Sequence, residues 1–186
     1  MNAHALRLAI VLLAVLVVGT AAQENRLSAI TYTPEGGIPV PDYSKWVFIG
    51  SGAFDTAETA PAPRFSNVFA EPAAYDTYIR TGTWPDRTVI FSEKRAGLTT
   101  VPITKNPGWG QTGEPMGFEF EVKDAAKGGW RYYTANGGER VGRPVANQAD
   151  CTVCHAAHAA VDNTFVQFYP SLIAAAKRHG TFKSTN

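Results

Sequence analysis

Sulfur is scarce in this chain. Among 186 residues there are two cysteines, Cys151 and Cys154, and two methionines, Met1 and Met116. So few cysteines exclude the disulfide-stapled frameworks of small secreted domains. An excess of charge of one sign is also missing. Lys and Arg together number 17 against 16 for Asp and Glu, so nothing in the balance marks a nucleic acid or an anionic membrane as a partner. Long apolar runs are absent too. The run from Leu8 to Val18 covers 11 residues, whereas a helix crossing a bilayer needs about 20. No internal repeat is visible.

The short apolar run has the form of a secretion signal. Arg7 supplies a positive start, and Gly19-Thr20-Ala21-Ala22 supplies small residues for cleavage before Gln23. Residues 1–22 are therefore expected to be a signal peptide, and the product periplasmic or secreted. The mature chain, about 164 residues, suffices for one domain with a real core. It loses Arg7 and becomes formally neutral. Residues 23–45, with Pro34, Gly36, Gly37, Pro39 and Pro41, read as an irregular arm. Residues 46–180 read as the domain, and 181–186 as a tail.

Aromatics make up 11% of the chain, and the domain alternates as strands do. Strands are expected at Trp46 to Gly50, Arg64 to Ala70, Thr88 to Lys94, Gly117 to Asp124 and Trp130 to Thr134. In the fourth, Phe118, Phe120 and Val122 alternate with Glu119, Glu121 and Lys123. It forms a hairpin with the fifth through Lys127-Gly128-Gly129. A helix follows Glu71-Pro72, carries Tyr75, Tyr78 and Ile79 at helical spacing, and stops at Gly82. Loops are expected over Ser51 to Pro63, Arg95 to Gly117 and Asn136 to Ala149. Asp150 is expected to cap a helix from Cys151 to about Ala160, and Pro170 to His179 forms a last helix. The fold class is α+β, mainly β: an antiparallel sheet core with a few helices.

Chemistry concentrates in Cys151-Thr152-Val153-Cys154-His155. This C-x-x-C-H grouping is the attachment pattern of a c-type haem. Two thiols with a two-residue gap reach neighbouring vinyl groups as thioethers, and the following imidazole binds the iron from below. The same residues suit a redox disulfide between Cys151 and Cys154, or a zinc site recruiting His155 and His158 as well. An exported chain with no other cysteine favours one covalent haem c, with Cys151 and Cys154 as its anchors and His155 as the metal ligand.

The combination of Cys151-x-x-Cys154-His155, Asp162-x-x-Phe165 and Gln167-Phe168-Tyr169-Pro170 resembles the C-terminal signature of the cytochrome P-460 family, which includes cytochrome c′-beta. Upstream counterparts follow in order: Trp46-Val47 before a Gly, Glu71-Pro72, Tyr75, Thr81-Gly82, Asp86 with Thr88-Val89, Gly117-x-Glu119, and Val122-Lys123-Asp124. The resemblance implies a largely antiparallel β-fold, one five-coordinate haem and usually a homodimer. In the P-460 enzymes a lysine is cross-linked to the porphyrin and hydroxylamine is oxidised. The c′-beta branch lacks the link, has an apolar aromatic pocket, and binds nitric oxide or carbon monoxide. Here the lysine position falls on Ser92. Lys94, the candidate for a link, lies two residues on along the same strand face, roughly 7 Å away. Glu119 matches a carboxylate thought to move protons, a role suited to oxidising hydroxylamine; the alternative is an acid on a solvated strand face.

Met116 and His158 are the residues available as a sixth iron ligand for a plain electron shuttle. His179 suits a helix end. Arg131, Tyr132 and Tyr133 are available to the haem edge, and Phe65, Phe69, Phe91, Phe118 and Phe120 form the pool for an apolar cap or core. The expected function is electron transfer or nitric oxide binding by an open haem, with a redox partner protein. The alternative is an oxidoreductase acting on hydroxylamine or nitrogen oxides.

Overall fold

The structure, a computed structural model, describes residues 27–28, 30–54, 63–98 and 110–184. The expected signal peptide, the start of the arm, residues 55–62 and residues 99–109 of the expected long loop lie outside the described residues.

Seven strands form one sheet: β1 (Ile38–Pro39), β2 (Val47–Phe54), β3 (Arg64–Ala70), β4 (Val89–Leu98), β5 (Gly110–Asp124), β6 (Gly129–Asn136) and β7 (Val141–Pro144). Their order across the sheet is β1-β7-β6-β5-β4-β3-β2, and every neighbouring pair is antiparallel. Three helices complete the described part: α1 (Pro72–Thr81), α2 (Gln148–His158) and α3 (Pro170–Arg178). The mainly-β class is as expected from the alternation.

Both faces of the sheet are covered, because the register sorts side chains with period two. One rank runs Phe69, Phe91, Phe120, Tyr133 across β3 to β6; the next runs Ala70, Ile90, Glu121, Tyr132. The first rank and its equivalents form a cluster of Phe91, Phe118, Phe120, Val122 and Tyr133, covered by Ile38 and Tyr43 from the N-terminal arm and by Trp46 just after it. Tyr43 packs 4.3 Å, centroid to centroid, from Phe91. The second rank joins a larger cluster with Tyr78, Trp84, Val161, Leu172 and Ala176, supplied by α1, α3 and the segments beside α2. Of the expected pool of phenylalanines, Phe69, Phe91, Phe118 and Phe120 lie under the arm, on the face opposite the helices, while Phe65 is not part of that cluster.

α1 behaves as its sequence dictates. Pro72 sits at the first turn, and Gly82 ends the helix at φ 74°, its N–H bonding Tyr78 O at 2.7 Å. A side chain at Gly82 would also place its Cβ 2.5 Å from His179 Cβ, just past α3. Only glycine meets both demands.

Four expectations are corrected. Ser51 to Phe54 continue β2, because the ladder with β3 supplies Ser51↔Asn67 through Phe54↔Arg64; pairing overrides weak local propensity. Arg95 to Leu98 and Gly110 to Met116 extend β4 and β5 rather than forming loop. Their glycines and Pro115 are tolerated because the register shifts there, as at bulges. Val141 to Pro144 form β7 inside the expected loop over 136–149, paired with both β1 and β6. Finally, α2 starts at Gln148 after Asn147, and no side chain caps it. Asp150 instead lies in the first turn, where a negative charge suits the helix dipole.

Candidate functional site

α2 lies against the sheet without a single fully buried side chain. Its inward face is made by Cys151 and His155, four residues apart and so one above the other. Both are half-buried, whereas Cys154 is exposed. Glutamine amides hold the helix at its two ends. Gln148 accepts from Tyr132 N–H at 2.9 Å and donates to Tyr132 O at 2.6 Å, tying the first turn to β6. Gln167 accepts from Ala160 N–H at 3.0 Å and donates to His158 O at 2.8 Å, closing the last turn.

His155 sits between two aromatic rings, Tyr132 at 4.7 Å and Phe165 at 4.6 Å between centroids. Its Nδ1 lies 2.8 Å from the carbonyl of Asn163. A carbonyl only accepts, so Nδ1 carries the proton and Nε2 keeps its lone pair. Burial lowers the imidazole pKa, against opposing pulls from the Asn163 hydrogen bond and the charge of Glu119, and the ring is neutral at neutral pH. That is the state a metal ligand requires. Burial, then the nearby Asp150 charge, push the Cys151 thiol up. Both cysteines are free thiols.

The floor of the site is the sheet face that carries Glu121, Glu119, Ser92 and Lys94. Lys94 Nζ bonds Glu119 at 2.8 Å and Ser66 Oγ at 3.1 Å, and stands 4.8 Å from the Phe54 ring centroid. Ser66 and Ser92 share a hydrogen bond of 2.6 Å. Glu119 keeps 59% of its side-chain exposure. Glu121, two residues on along β5, has its Oε2 3.9 Å from His155 Nδ1. Burial, aided by the Glu119 charge and opposed by Lys94, pushes its carboxyl up to about 8. Both acids point to the helix side, but only Glu121 is largely shut off there; Glu119 stays exposed. Glu121 carries no sequence signal beyond the alternation it shares with Glu119.

The remaining sequence candidates are dispersed. Met116 is 50% exposed on β5, His158 is exposed on α2, and His179 is exposed just past α3. Tyr132 belongs to the site; Tyr133, on the opposite sheet face, does not. Among the described residues no group of three or more His, Cys, Asp or Glu side chains is placed to hold a metal ion, so the expected zinc alternative does not assemble. A cavity of about 400 Å³, lined by Ile38, Trp46, Glu71 and Val89 among others, lies on the arm side and not beside His155.

The residues present fit a haem. One helix offers two free thiols and a neutral imidazole with a free Nε2. Beside them Glu121 Oε2, Tyr132 Oη and Trp130 Nε1 are buried without a hydrogen-bond partner. Buried orphans of this kind are rare in a finished interior. These features define a mainly-β, haem-binding cytochrome. The cytochrome P460 family model matches residues 40–166, and the chain belongs to the cytochrome P460 family. A search of curated proteins gave no match.

Proposed function

We propose that this is an exported c-type cytochrome carrying one covalent haem on Cys151 and Cys154, with His155 Nε2 on the iron and the sixth position open. The observation that supports it best is the His155 Nδ1 hydrogen bond to Asn163 O, which leaves Nε2 as the ring's only free donor atom. Bound haem would supply an iron able to take small diatomic ligands or pass electrons. The protein's part is to hold the ligand imidazole neutral and oriented, to anchor the group covalently, and to surround it with Tyr132, Phe165 and the polar floor. No strong second ligand competes among the described residues, since Met116, His158 and His179 are all exposed. Nitric oxide binding or electron transfer of the c′-beta kind follows, in the periplasm or outside the cell, with a redox partner protein and as a homodimer.

A second reading, oxidation of hydroxylamine or another nitrogen oxide, draws support from one observation. Lys94 and Glu119 are paired on the helix side of the sheet, where a lysine link and a proton acceptor are needed. Ser92 at the expected lysine position argues for the first reading. The ferrous absorption spectrum of the purified protein separates the two. A five-coordinate high-spin spectrum without a strong red shift of the Soret band is expected; a strongly red-shifted Soret band establishes the lysine link, and sharp low-spin α and β bands refute the open sixth position.

A further inference from the structure

The carbonyl that fixes His155 is delivered by a two-residue turn with unusually strong attachments. Val161 and Thr164 pair as an isolated bridge, and the residues between them, Asp162 and Asn163, have φ of 46° and 56°. Two successive positive φ values suit Asp and Asn and define a tight primed turn. Thr164 Oγ1 donates to Val161 O at 2.7 Å and accepts from Trp84 Nε1 at 2.9 Å. Thr164 and Trp84 are 0% and 2% exposed. On the other side Lys123 Nζ, from β5, bonds Asp162 Oδ2 at 2.7 Å and Trp84 O at 2.6 Å. Trp84 thus receives one strut through its peptide and gives the other through its indole.

The turn, with Val161 and Thr164 buried and Asp162 and Asn163 half-buried, is pinned twice to one buried tryptophan. Its one carbonyl with a partner in the site is Asn163 O. We propose that Thr164 and Lys123 are positioning residues for the iron ligand: they hold the Asn163 carbonyl on His155 Nδ1, and so set the tautomer and the electron donation of the imidazole. The inference rests on the reading of His155 as the haem ligand. A hydrogen bond from the second ring nitrogen raises the basicity of a metal-bound imidazole and orients it, and hydrogen bonds of this kind to an axial ligand tune the potential of haem iron. Slackening the turn weakens that donation and stabilises the ferric state less.

The test uses the matured haem protein. Thr164→Val removes both bonds of the hydroxyl, Thr164→Ser restores them, and Lys123→Gln releases the second strut from a half-buried position. Thr164→Val and Lys123→Gln are expected to raise the reduction potential, shifting the ferric-to-ferrous ratio at a fixed ambient potential about tenfold, or ~59 mV for one electron. The iron–imidazole stretching band in the ferrous resonance Raman spectrum should fall in frequency alongside, and Thr164→Ser should match the unaltered protein. If Thr164→Val does not fold, Lys123→Gln carries the measurement. A lowered melting temperature with an unmoved band and potential in the folded variants overturns the proposal, leaving the turn a purely structural feature. A Glu121→Gln protein that reproduces the shift while the turn variants do not overturns it as well, because the carboxyl would then be the working partner. Absence of any iron–imidazole band in the unaltered protein sinks the ligand assignment itself, a separate outcome.

Discussion

Replacing Glu93 by Ala offers a direct measure of what holds the N-terminal arm to the sheet. Glu93 is 4% exposed. Its carboxylate takes bonds from Tyr43 Oη at 2.6 Å, Asn67 Nδ2 at 3.0 Å, and Arg95 Nε and Nη2 at 2.7 and 2.9 Å. Burial raises this carboxyl's pKa, but the hydrogen bonds from Arg95, Tyr43 and Asn67 and the Arg95 charge outweigh it and leave it below the usual range. Breaking a buried ion pair from one side costs about 3–5 kcal/mol. The low end, about 3 kcal/mol, applies here, because Arg95 is itself one-fifth exposed and retains Thr112 O at 2.9 Å. For a domain of this size that is a fall in Tm of about 6–12 °C. The pH dependence has a definite sign. A carboxyl with a depressed folded pKa contributes stability above its unfolded pKa, about 4.3, and loses it as pH falls through the lower folded value. Urea unfolding of Glu93→Ala and the unaltered protein at pH 7 and near pH 3 checks both points. The gap should be wide at pH 7 and narrow in acid. A gap below about 1 kcal/mol at pH 7, or one of equal size at both pH values, refutes the reasoning.

Gly142→Ala should destabilise by about 1–3 kcal/mol in urea, since its Cβ would stand 2.7 Å from Cε2 of the buried Phe120 ring. Gln148→Ala should cost about 1–3 kcal/mol and speed hydrogen exchange at the Tyr132 amide, which loses its acceptor; unchanged exchange there would show that Gln148 does not dock α2. His155→Ala should remove the iron's imidazole ligand while the thioether links persist, read as an altered ferrous spectrum on a protein that still stains for haem after denaturation. An unaltered spectrum would refute His155 as ligand.

Much of this was readable in the chain, and the limits have physical causes. The alternation from Gly117 to Asp124 placed β5, Gly82 placed the end of α1, and Cys151-x-x-Cys154-His155 placed the reactive helix, because each depends on residues close in sequence. The extension of β2 through Ser51 to Phe54 did not show. Those residues are strand only because Arg64 to Asn67 lie alongside, and a ladder partner has no local signature. The identity of the covered faces was hidden likewise. A solvated face was the alternative for the acids of β5; Glu119 is indeed exposed, but Glu121 lies against His155 of α2, a long-range fact. The Asn163 carbonyl was out of reach for another reason: every residue carries a carbonyl, and only the turn geometry singles one out. The sequence does hold an Asp162-Asn163 pair, and such a pair makes a turn of this kind easy.

The two faces of the sheet treat buried polar atoms differently, and the contrast bears on where a ligand goes. Under the arm most polar groups are matched, although Glu71 Oε2 is buried without a partner. Glu93 and Asn67 bond each other and their neighbours, and Asp124 accepts from Tyr32 Oη at 2.6 Å. Under α2 they are not. Glu121 Oε2, Tyr132 Oη and Trp130 Nε1 are shut off from solvent and unpartnered, each at a cost of about 1–3 kcal/mol. The same sheet, alternating residue by residue, supplies both faces, so the difference is not one of local chemistry. A chain under selection for stability alone would gain from apolar residues of similar shape at those positions. Their retention beside a neutral imidazole and a free thiol pair is accounted for if the polar atoms serve a group that α2 brings with it, and the surface helix without a buried side chain then owes its seating to that group as much as to Gln148 and Gln167.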